Sequence, residues 1–390
     1  SPVNLSSLTN GENMFSGCST LTSFTSDLSS LNNGARMFYN CNNLTTFASF
    51  ANDTSGSSLN LSFLTNGDSM FYNTKLSEFT SDLSSLINGY CMFANCSELD
   101  TFATDLSSLT NGAIMFSFCE KLTTFNSDLS SLTNGSNMFY NTNLSEFSSD
   151  LSSLTNGRYM FDRCNNLTTF NSDLSSLMDG YEMFWDCTNL TTFTSDLNSL
   201  ISGNQMFFKT KLTPQSVMYI ADSIKDIAAE KKLHQDGTIP YVTLANGKYS
   251  APKGFMSNGN YVYTYNENKP YFGTIYTYDI GKLSIGIDVT NNSSTIVDQL
   301  QTFAEEATFD SWADLKQSFV DKGWTVTWQY GGTYDSITYD MRGEKAIPCP
   351  IYAQLVEVED KDHAEYTNED GTKFYNINWG HDVTNYDDFQ

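Results

Sequence analysis

The residue types that most often perform chemistry are scarce in this sequence and match no catalytic pattern. The three histidines, His234, His363 and His381, lie outside any HExxH motif, and the sequence has no GxSxG elbow, no GxxxxGK(S/T) loop and no dinucleotide-binding fingerprint. Carboxylate pairs are common, but a glycosidase needs two of them facing each other across a cleft, which a sequence does not show. We therefore predict a non-catalytic protein without a cofactor, and a glycan hydrolase is the less favoured alternative.

One recurring position in residues 1–212 holds either cysteine or threonine. In chain order its residues are Cys18, Cys41, Thr74, Cys96, Cys119, Thr142, Cys164, Cys187 and Thr210. Side chains in such a column run parallel, whereas a disulfide needs converging Cβ vectors, so we predict free buried thiols that bond backbone groups inside each coil. Disulfides between neighbouring positions, such as Cys18 and Cys41, are the alternative. Cys91 and Cys349 lie outside the column and have no predicted role.

The column belongs to a repeat whose most regular element is the dipeptide Met-Phe. The dipeptide begins at Met14, Met37, Met70, Met92, Met115, Met138, Met160, Met183 and Met206. The spacing is 22 or 23 residues except for one of 33, which holds a ten-residue insertion within residues 48–58 that we predict to be a surface loop. A period of about 20 to 29 residues with fixed Leu and Phe positions predicts a leucine-rich-repeat solenoid, with about nine repeats over residues 1–212.

Each repeat has an inward and an outward set of side chains. In one repeat the inward residues are Met115, Phe116, Leu122, Phe125, Leu129 and Leu132, and the outward ones are Thr124, Asn126 and Asp128. The dipeptide Asn-Gly, as at Asn111-Gly112, should supply a positive-φ turn that closes each coil. The recurring aspartate should accept backbone N–H groups at its own turn, with cations between the coils as the alternative. We assign no metal site.

Variation among the repeats is concentrated around the Met-Phe pair, where aromatic residues recur. The candidate binding residues are Tyr39, Tyr72, Tyr90, Phe118, Tyr140, Tyr159, Tyr181 and Trp185. On an outer edge they would form an aromatic strip, interrupted by Arg163, Asp186 and Lys209, that could stack on sugars or contact a protein. An aromatic ladder that only packs coil on coil is the alternative.

The repeat unit, written MFxxCxxLTTFxSDLSSLTNG, resembles the BspA-like leucine-rich-repeat family of surface proteins from gut and oral bacteria and of proteins from their phages. The resemblance covers residues 1–212, although this sequence has Met where the family usually has Ala, and Leu or Phe where it often has Ile or Val. The segments LTPQSVMYIADSI, at residues 212–224, and DKGWTV, at residues 321–326, also resemble segments that close such arrays in phage structural proteins. The resemblance implies adhesion, host recognition or virion display.

Residues 213–390 no longer follow the repeat. Thr213-Pro214 should begin a helix that covers the open solenoid end, so that residues 213–235 form a capping helix and linker. Residues 236–390 are predicted to form an α+β domain, with helices near residues 295–308 and 311–322. The acidic stretch at residues 357–370 does not match EF-hand spacing, so we expect a solvated loop, with calcium binding as the alternative.

Charge and hydropathy restrict the partners. The net charge is −25, with 19 acidic and 7 basic residues in residues 1–212 and 26 and 13 in residues 213–390, so nucleic acid is a poor partner for either half. No apolar run reaches the roughly 20 residues of a membrane span. The chain begins Ser-Pro-Val, without Met or a targeting segment, so we expect a mature or trimmed product.

The predicted function is surface-exposed recognition, adhesion or display. The partner would be a glycan or protein on a host or bacterial surface, or a neighbouring structural subunit, and the sequence does not determine an oligomeric state. We favour the virion surface of a gut bacteriophage, as a tail or capsid-associated component, because of the array-closing segments and the missing lipoprotein-like start. A bacterial cell-surface or secreted adhesin is the first alternative. A spacer that only holds the last domain away from the particle is another.

Overall fold

The computed structural model describes residues 5–47, 60–228, 254–257, 260–263, 281–289, 296–330, 365–367 and 373–375. Several predicted features lie outside these residues, namely the insertion at 48–58, the three histidines, Cys349, the linker from 229 and most of the acidic stretch. We number the coils of the first 212 residues 1 to 9 by their Met-Phe pairs, from Met14 in coil 1 to Met206 in coil 9.

Short parallel strands form one side of the coils. The strands are β1 Ser23–Phe24, β2 Thr46–Phe47, β3 Glu78–Phe79, β4 Thr101–Phe102, β5 Thr169–Phe170 and β6 Thr192–Phe193. Strand β1 pairs with β2, β3 with β4 and β5 with β6. In β1 and β3 the phenylalanine turns into the core and its neighbour turns to solvent, as the two-residue period of a strand requires. The coils therefore stack as a solenoid, which is the fold that the repeat predicts.

Two interleaved columns of phenylalanine rings fill the solenoid. In the column from the Met-Phe pairs, Phe116 stacks on Phe93 and on Phe139, with 5.6 Å between ring centroids in both cases. The other column comes from the strand side, where Phe125 meets Phe116 edge to face at 5.3 Å. Aromatic pairs prefer these two geometries. All six residues predicted to point inward in coil 5 are buried, because the coils on both sides cover them.

A ladder of asparagine side chains runs along the solenoid at the Asn-Gly position. Asn134 donates from Nδ2 to Asn111 Oδ1 at 2.9 Å, and its own Oδ1 accepts from Asn156 Nδ2 at 3.0 Å. The same bonds link the asparagines of coils 1 to 7, which are Asn10, Asn33, Asn66, Asn88, Asn111, Asn134 and Asn156. Coil 8 has Asp179 and coil 9 has Ser202 at this position, so the amide ladder ends at coil 7.

The positive φ expected at the glycine of Asn-Gly is wrong. The residue is glycine because there is no space for a side chain: a Cβ atom on Gly34 would lie 2.6 Å from Met70 Sδ in the next coil. Positive φ falls instead on the residue before Met and the third residue after it, as at Ile114 (63°) and Phe118 (61°). This backbone turns the N–H of every second residue towards the next coil, so that Phe118 N donates to Tyr140 O at 2.9 Å.

From coil 2 onwards, the column cysteines donate to the backbone of the preceding coil. Cys119 Sγ lies 3.2 Å from Phe93 O, and Cys164 Sγ lies 3.1 Å from Phe139 O. Thr142 holds this position in coil 6, but its Oγ1 donates within its own coil, to Phe139 O at 3.0 Å. The column cysteines are free thiols, buried in every coil except the first. The small polar side chain therefore satisfies a carbonyl group inside the coil, as predicted.

The thiol of Cys96 should make the folded state less stable at alkaline pH. Burial raises its pKa to about 11, whereas the unfolded chain ionises near 9.0. The contribution of this thiol to the stability of the fold is therefore fully present well below pH 9.0, and it is lost at up to about 1.4 kcal/mol per pH unit as the pH rises from 9.0 towards 11. The variant Cys96→Thr carries the other residue type of this column. When the free energy of unfolding is measured in urea at a series of pH values, this part of the pH dependence should be missing in the variant. An equal pH dependence in both proteins would contradict the prediction.

Beyond coil 8 the described chain contains longer elements. They are β7 Gly203–Leu212, α1 Pro214–Ser223, β8 Gly254–Ser257, β9 Asn260–Tyr263, β10 Lys282–Ile287, α2 Ile296–Glu306, α3 Trp312–Asp321, β11 Thr325–Tyr330, β12 Glu365–Thr367 and β13 Lys373–Tyr375. A parallel sheet has the order β11-β10-β7, and β8–β9 and β12–β13 are antiparallel pairs. The helices predicted near 295–308 and 311–322 are α2 and α3. No helix among the described residues has the length and hydropathy of a membrane span.

Helix α1 packs against the strand side of the last coils. Thr213 begins the helix, and Ser216 Oγ in its first turn accepts from Phe193 N at 3.0 Å and donates to Thr191 O at 3.1 Å. The serine thus bonds one backbone group in β6 and one directly before it. At the other end of α1, Lys322 Nζ donates to Ala221 O at 2.6 Å. The two segments that resemble array-closing sequences are therefore in direct contact.

Strand β10 covers the Met-Phe side of coil 9. The edge of a regular parallel strand presents N–H and C=O groups in alternation. Coil 9 instead points the N–H of every second residue outwards. The register between β10 and β7 therefore shifts along the pair. Side chains supply further acceptors: Ser284 Oγ accepts from Gln205 N at 3.2 Å, and Gln329 Oε1 accepts from Lys209 N at 2.8 Å. The end of the solenoid is thus bonded to residues far along the chain.

Candidate binding surface

Two walls enclose the phenylalanine core. The strand wall consists of the strand-side residues of each coil and the aspartate turn that follows them. The Met-Phe wall consists, in each coil, of the residues from two before Met to three after it. Phe139 of the Met-Phe wall meets Phe125 and Phe147 of the strand wall edge to face, at 4.7 and 5.4 Å. The outward side chains of the two walls therefore lie on opposite sides of the core.

The strand wall carries small polar side chains and the same turn in each coil. Asp128 Oδ1 accepts from Ser130 N at 2.8 Å, and Thr124 and Asn126 beside it are exposed. The same bond, at 2.8 to 3.0 Å, is made by Asp27, Asp82, Asp105, Asp150, Asp173 and Asp196. The predicted turn-capping role of the aspartates is confirmed. Within the described ranges, no group of three or more His, Cys, Asp or Glu residues is placed to hold a metal ion.

The eight candidate residues all lie on the Met-Phe wall. Tyr72 and Tyr140 are 8% and 7% exposed. The other six, which are Tyr39, Tyr90, Phe118, Tyr159, Tyr181 and Trp185, are half-buried. The structure places them in two groups. The first, in coils 2 to 4, packs around the buried residues Cys91, Ala94 and Ile114, and the second extends over coils 5 to 8.

Neighbouring rings contact each other along the solenoid, as the ladder interpretation expects. The pairs are Tyr39–Tyr72 (4.8 Å between centroids, stacked), Phe118–Tyr140 (5.2 Å, edge to face), Tyr159–Tyr181 (5.4 Å, edge to face) and Trp185–Phe208 (6.3 Å, stacked). At least one ring of each pair is nevertheless half-exposed. The rings therefore pack coil on coil and also form an outer surface.

Arg158 and Asp179 bring charge into coils 7 and 8. Asp179 replaces the ladder asparagine of coil 8 and is fully buried, and its Oδ2 accepts from Arg158 Nη1 at 2.9 Å. The guanidinium carbon of Arg158 lies 4.3 Å from the ring centroid of Tyr181 and 5.7 Å from that of Tyr159. A carboxylate in place of an amide thus holds a cation against two rings of the strip.

Arg163 and Lys209 place two more cations against the rings. The guanidinium carbon of Arg163 lies 5.7 Å from the ring centroid of Tyr140 and 5.4 Å from that of Trp185. Lys209 Nζ lies 4.4 Å from the centroid of Trp185 and 3.4 Å from Asp186 Oδ1. In sequence these charges interrupt the strip, but in the structure they contact its rings. Rings and cations form one surface.

Buried carboxylates accompany this part of the wall. Asp162, Asp179 and Glu182 are 1%, 0% and 4% exposed, and all three lie in coils 7 and 8. Burial, and after it the negative charge of Glu182, raises the pKa of the Tyr181 hydroxyl. Burying a charge is costly unless it is paired. The concentration of such groups here distinguishes coils 7 and 8 from the rest of the wall.

Four charged residues on or directly beneath this surface are missing from the set selected by sequence. They are Arg158, Asp162, Asp179 and Glu182. Two of them leave a signal that a column-by-column comparison of the repeats can detect. Asp179 breaks a column of seven asparagines, and Asp162 stands where coils 6 and 8 have aromatic rings. The contacts of Arg158 and Arg163 with the aromatic rings depend on the distance between coils, and no sequence pattern predicts them.

A shallow cavity of about 430 Å³ lies in the C-terminal part, beside α3 and β11. Its lining is mostly apolar and includes Trp324, Trp328 and Val320, with Lys316 as its charged residue. Ligand sites usually combine an apolar lining with several convergent polar groups. The described residues around the cavity do not supply them, so the Met-Phe wall is the stronger candidate.

Comparison with known proteins identifies the repeat. Six copies of the family model described as BspA type leucine rich repeat region match residues 3–100, 48–145 and 135–230. A solved leucine-rich repeat protein from Bacteroides ovatus ATCC 8483 is 17% identical with a TM-score of 0.25, and the match covers 53% of this chain and 72% of that one. No curated protein matches the chain. Because the family model covers more than half of its length, the chain belongs to the BspA-type leucine-rich-repeat family.

Proposed function

We propose that this protein is a non-catalytic recognition and adhesion protein whose Met-Phe wall contacts a glycan or a protein on a bacterial or host surface. Membership of the BspA-type family supports a role at a surface. One observation carries the proposal: the wall that varies among the repeats holds tyrosine, tryptophan and arginine, while the opposite wall repeats threonine, serine and aspartate.

The state of these side chains favours binding. Tyrosine, tryptophan and arginine contribute most of the energy at protein interfaces. Tyr159, Tyr181 and Trp185 are half-buried and in contact with neighbouring rings, and Arg158 is held by Asp179. Side chains fixed before a partner arrives lose less conformational entropy on binding. The surface is therefore ordered in advance.

The chemistry of the solenoid favours binding over catalysis. Residues 1–212 contain no histidine. Burial raises the pKa of Cys164 to about 12, so this thiol stays protonated and is a poor nucleophile at neutral pH. A glycan hydrolase remains the alternative. Release of reducing sugars from a panel of bacterial and dietary polysaccharides by the intact protein would favour that alternative.

The proposed contact can be tested by removing rings from the second group. The variant Tyr159→Ala/Tyr181→Ala/Trp185→Ala should bind intact bacterial cells at least about tenfold more weakly than the unaltered protein, because single aromatic anchors contribute about 2 kcal/mol or more at interfaces. Binding of fluorescently labelled protein is measured by flow cytometry. Protease-treated cells and isolated surface glycans, used in parallel, separate a protein partner from a glycan.

The matched control alters the opposite wall. Thr101→Ala/Thr124→Ala/Asn126→Ala changes three exposed strand-wall residues and should leave cell binding unchanged. Circular dichroism checks that both triple variants remain folded. Equal binding by the ring variant and the unaltered protein, on cells that the unaltered protein binds, would exclude the Met-Phe wall as the contact surface.

For location, we infer display on a virion surface, with the bacterial cell surface or secretion as the alternative. The resemblance of residues 212–224 and 321–326 to array-closing segments of phage structural proteins supports this location. We further propose nine repeats over residues 1–212, a capping helix and linker over 213–235, and an α+β domain over 236–390. Mass spectrometry of purified phage particles and of bacterial outer-membrane fractions tests the location, since the chain should be found in the particles.

A further inference from the structure

The second position after Met forms a notch in the strip at coil 7. Coils 6 and 8 carry Tyr140 and Trp185 at this position, whereas coil 7 carries Asp162. In the adjacent core, the phenylalanine rings of coils 6, 7 and 8 follow each other at 5.4 and 5.5 Å. Two coil steps therefore separate the two rings. The short side chain of Asp162 leaves space between them for another group.

The guanidinium of Arg163 occupies this notch. Its carbon lies 5.7 Å from the ring centroid of Tyr140 and 5.4 Å from that of Trp185, and its Nε lies 3.9 Å from Asp162 Oδ1. A cation is thus placed among two aromatic rings and a carboxylate, which are the groups that attract organic cations. The Asp162 side chain is 1% exposed, so its charge is little screened by solvent.

Arg163 is loosely held in the notch. A separation of 3.9 Å is too long for a hydrogen bond, and the side chain is 43% exposed. By contrast, Arg158 on the same wall lies 2.9 Å from its carboxylate and is 13% exposed. A flexible arginine side chain gains rotamer entropy on release. Arg163 can therefore leave the notch at a smaller cost than Arg158 can leave Asp179.

We propose that the notch between Tyr140 and Trp185 binds a cationic side chain of a protein partner, an arginine or lysine, and that Arg163 is an internal occupant which the partner displaces. This inference rests on the proposed function, because the notch lies within the same strip, and it names the chemical class that the strip recognises. The net charge of −25 favours the approach of a basic segment.

The equivalent position three coils earlier provides an internal comparison. The residues 68 positions before Asp162 and Arg163 are Ala94 and Asn95, so the carboxylate and the cation are both missing there. Asn95 Nδ2 instead donates to the hydroxyl of Tyr72 at 2.8 Å. Cation binding is therefore expected at coil 7 and not at coil 4.

The experiment titrates the full chain with N-acetylargininamide, and with the uncharged N-acetylcitrullinamide, by isothermal titration calorimetry. Arg163→Ala should bind N-acetylargininamide about tenfold more tightly than the unaltered protein, because no internal cation has to be displaced. Adding Asp162→Asn to Arg163→Ala should abolish this gain. N-acetylcitrullinamide should bind neither the unaltered protein nor Arg163→Ala. Asn95→Ala should bind N-acetylargininamide with the same affinity as the unaltered protein.

The outcomes separate the inference from the proposed function. If Arg163→Ala is folded by near-ultraviolet circular dichroism and binds the arginine compound no more tightly, or if Asp162→Asn leaves the gain intact, the cation site is overturned. Arg163→Gln, which keeps part of the aliphatic stem, carries the same expectation should the alanine variant unfold. The titration needs no cells. A negative cell-binding result would therefore refute the adhesion proposal without affecting the test of the cation site.

Discussion

Phe116→Ala is expected to lower the free energy of unfolding by about 3 to 5 kcal/mol. The ring is fully buried and contacts Phe93, Phe139 and Phe125 at 5.3 to 5.6 Å between centroids. Its loss leaves a cavity between coils that neither neighbour can close, because each coil is held in place by the hydrogen bonds of the next. Urea unfolding followed by far-ultraviolet circular dichroism measures the effect.

The control for this prediction is the same substitution at the first coil. Phe15 is half-buried and stacks on Phe38 at 5.4 Å, and no preceding coil covers it among the described residues. Phe15→Ala should cost about 1 to 2 kcal/mol, in proportion to the smaller apolar area that it removes. If Phe116→Ala and Phe15→Ala lower the free energy of unfolding equally, the contribution of a ring to stability would not depend on its being covered by coils on both sides.

Asn134→Ala is expected to lower the free energy of unfolding by about 2 to 4 kcal/mol. Asn134 is 2% exposed, and its amide bonds both Asn111 and Asn156, while its Oδ1 also accepts from Ser136 N at 3.3 Å. Alanine removes a donor and an acceptor from the middle of the ladder, where water does not replace them. The same urea unfolding experiment applies.

The start of the ladder provides the comparison for Asn134. Asn10 is exposed and makes one ladder bond, from Asn33 Nδ2 at 3.1 Å. Asn10→Ala should therefore cost about 1 kcal/mol or less, because water can bond the remaining amide. A loss at Asn134 no larger than that at Asn10 would show that the ladder adds little to stability.

The two walls carry different side chains because their backbone groups are hydrogen-bonded in different ways. On the strand wall, every coil needs the same Asx turn to satisfy the same backbone groups, so aspartate recurs there. On the Met-Phe wall, the backbone ladder between coils bonds the peptide groups without help from most outward side chains. Those side chains are free to differ among coils. Rings and charges therefore accumulate on this wall.

Much of the solenoid is determined by the sequence alone. The spacing of the Met-Phe pairs predicts stacked coils, and the inward residues, the thiol column and the aspartate turns lie where the period places them. The physical reason is that a residue in a repeat has copies of itself as neighbours. Its environment can therefore be worked out from the single unit. The helix start at Thr213 is equally local, since this cap bonds a residue three positions later.

Tertiary structure decides what depends on distances between coils or between distant segments. The glycine of Asn-Gly is needed because of a methionine in the next coil, and not for its backbone freedom. The position of Arg163 between Tyr140 and Trp185 requires the actual step from coil to coil. The closure of coil 9 joins Lys209 to Gln329, which is 120 positions away. Such contacts bring together residues that share no repeat unit, so only the packing of the folded chain specifies them.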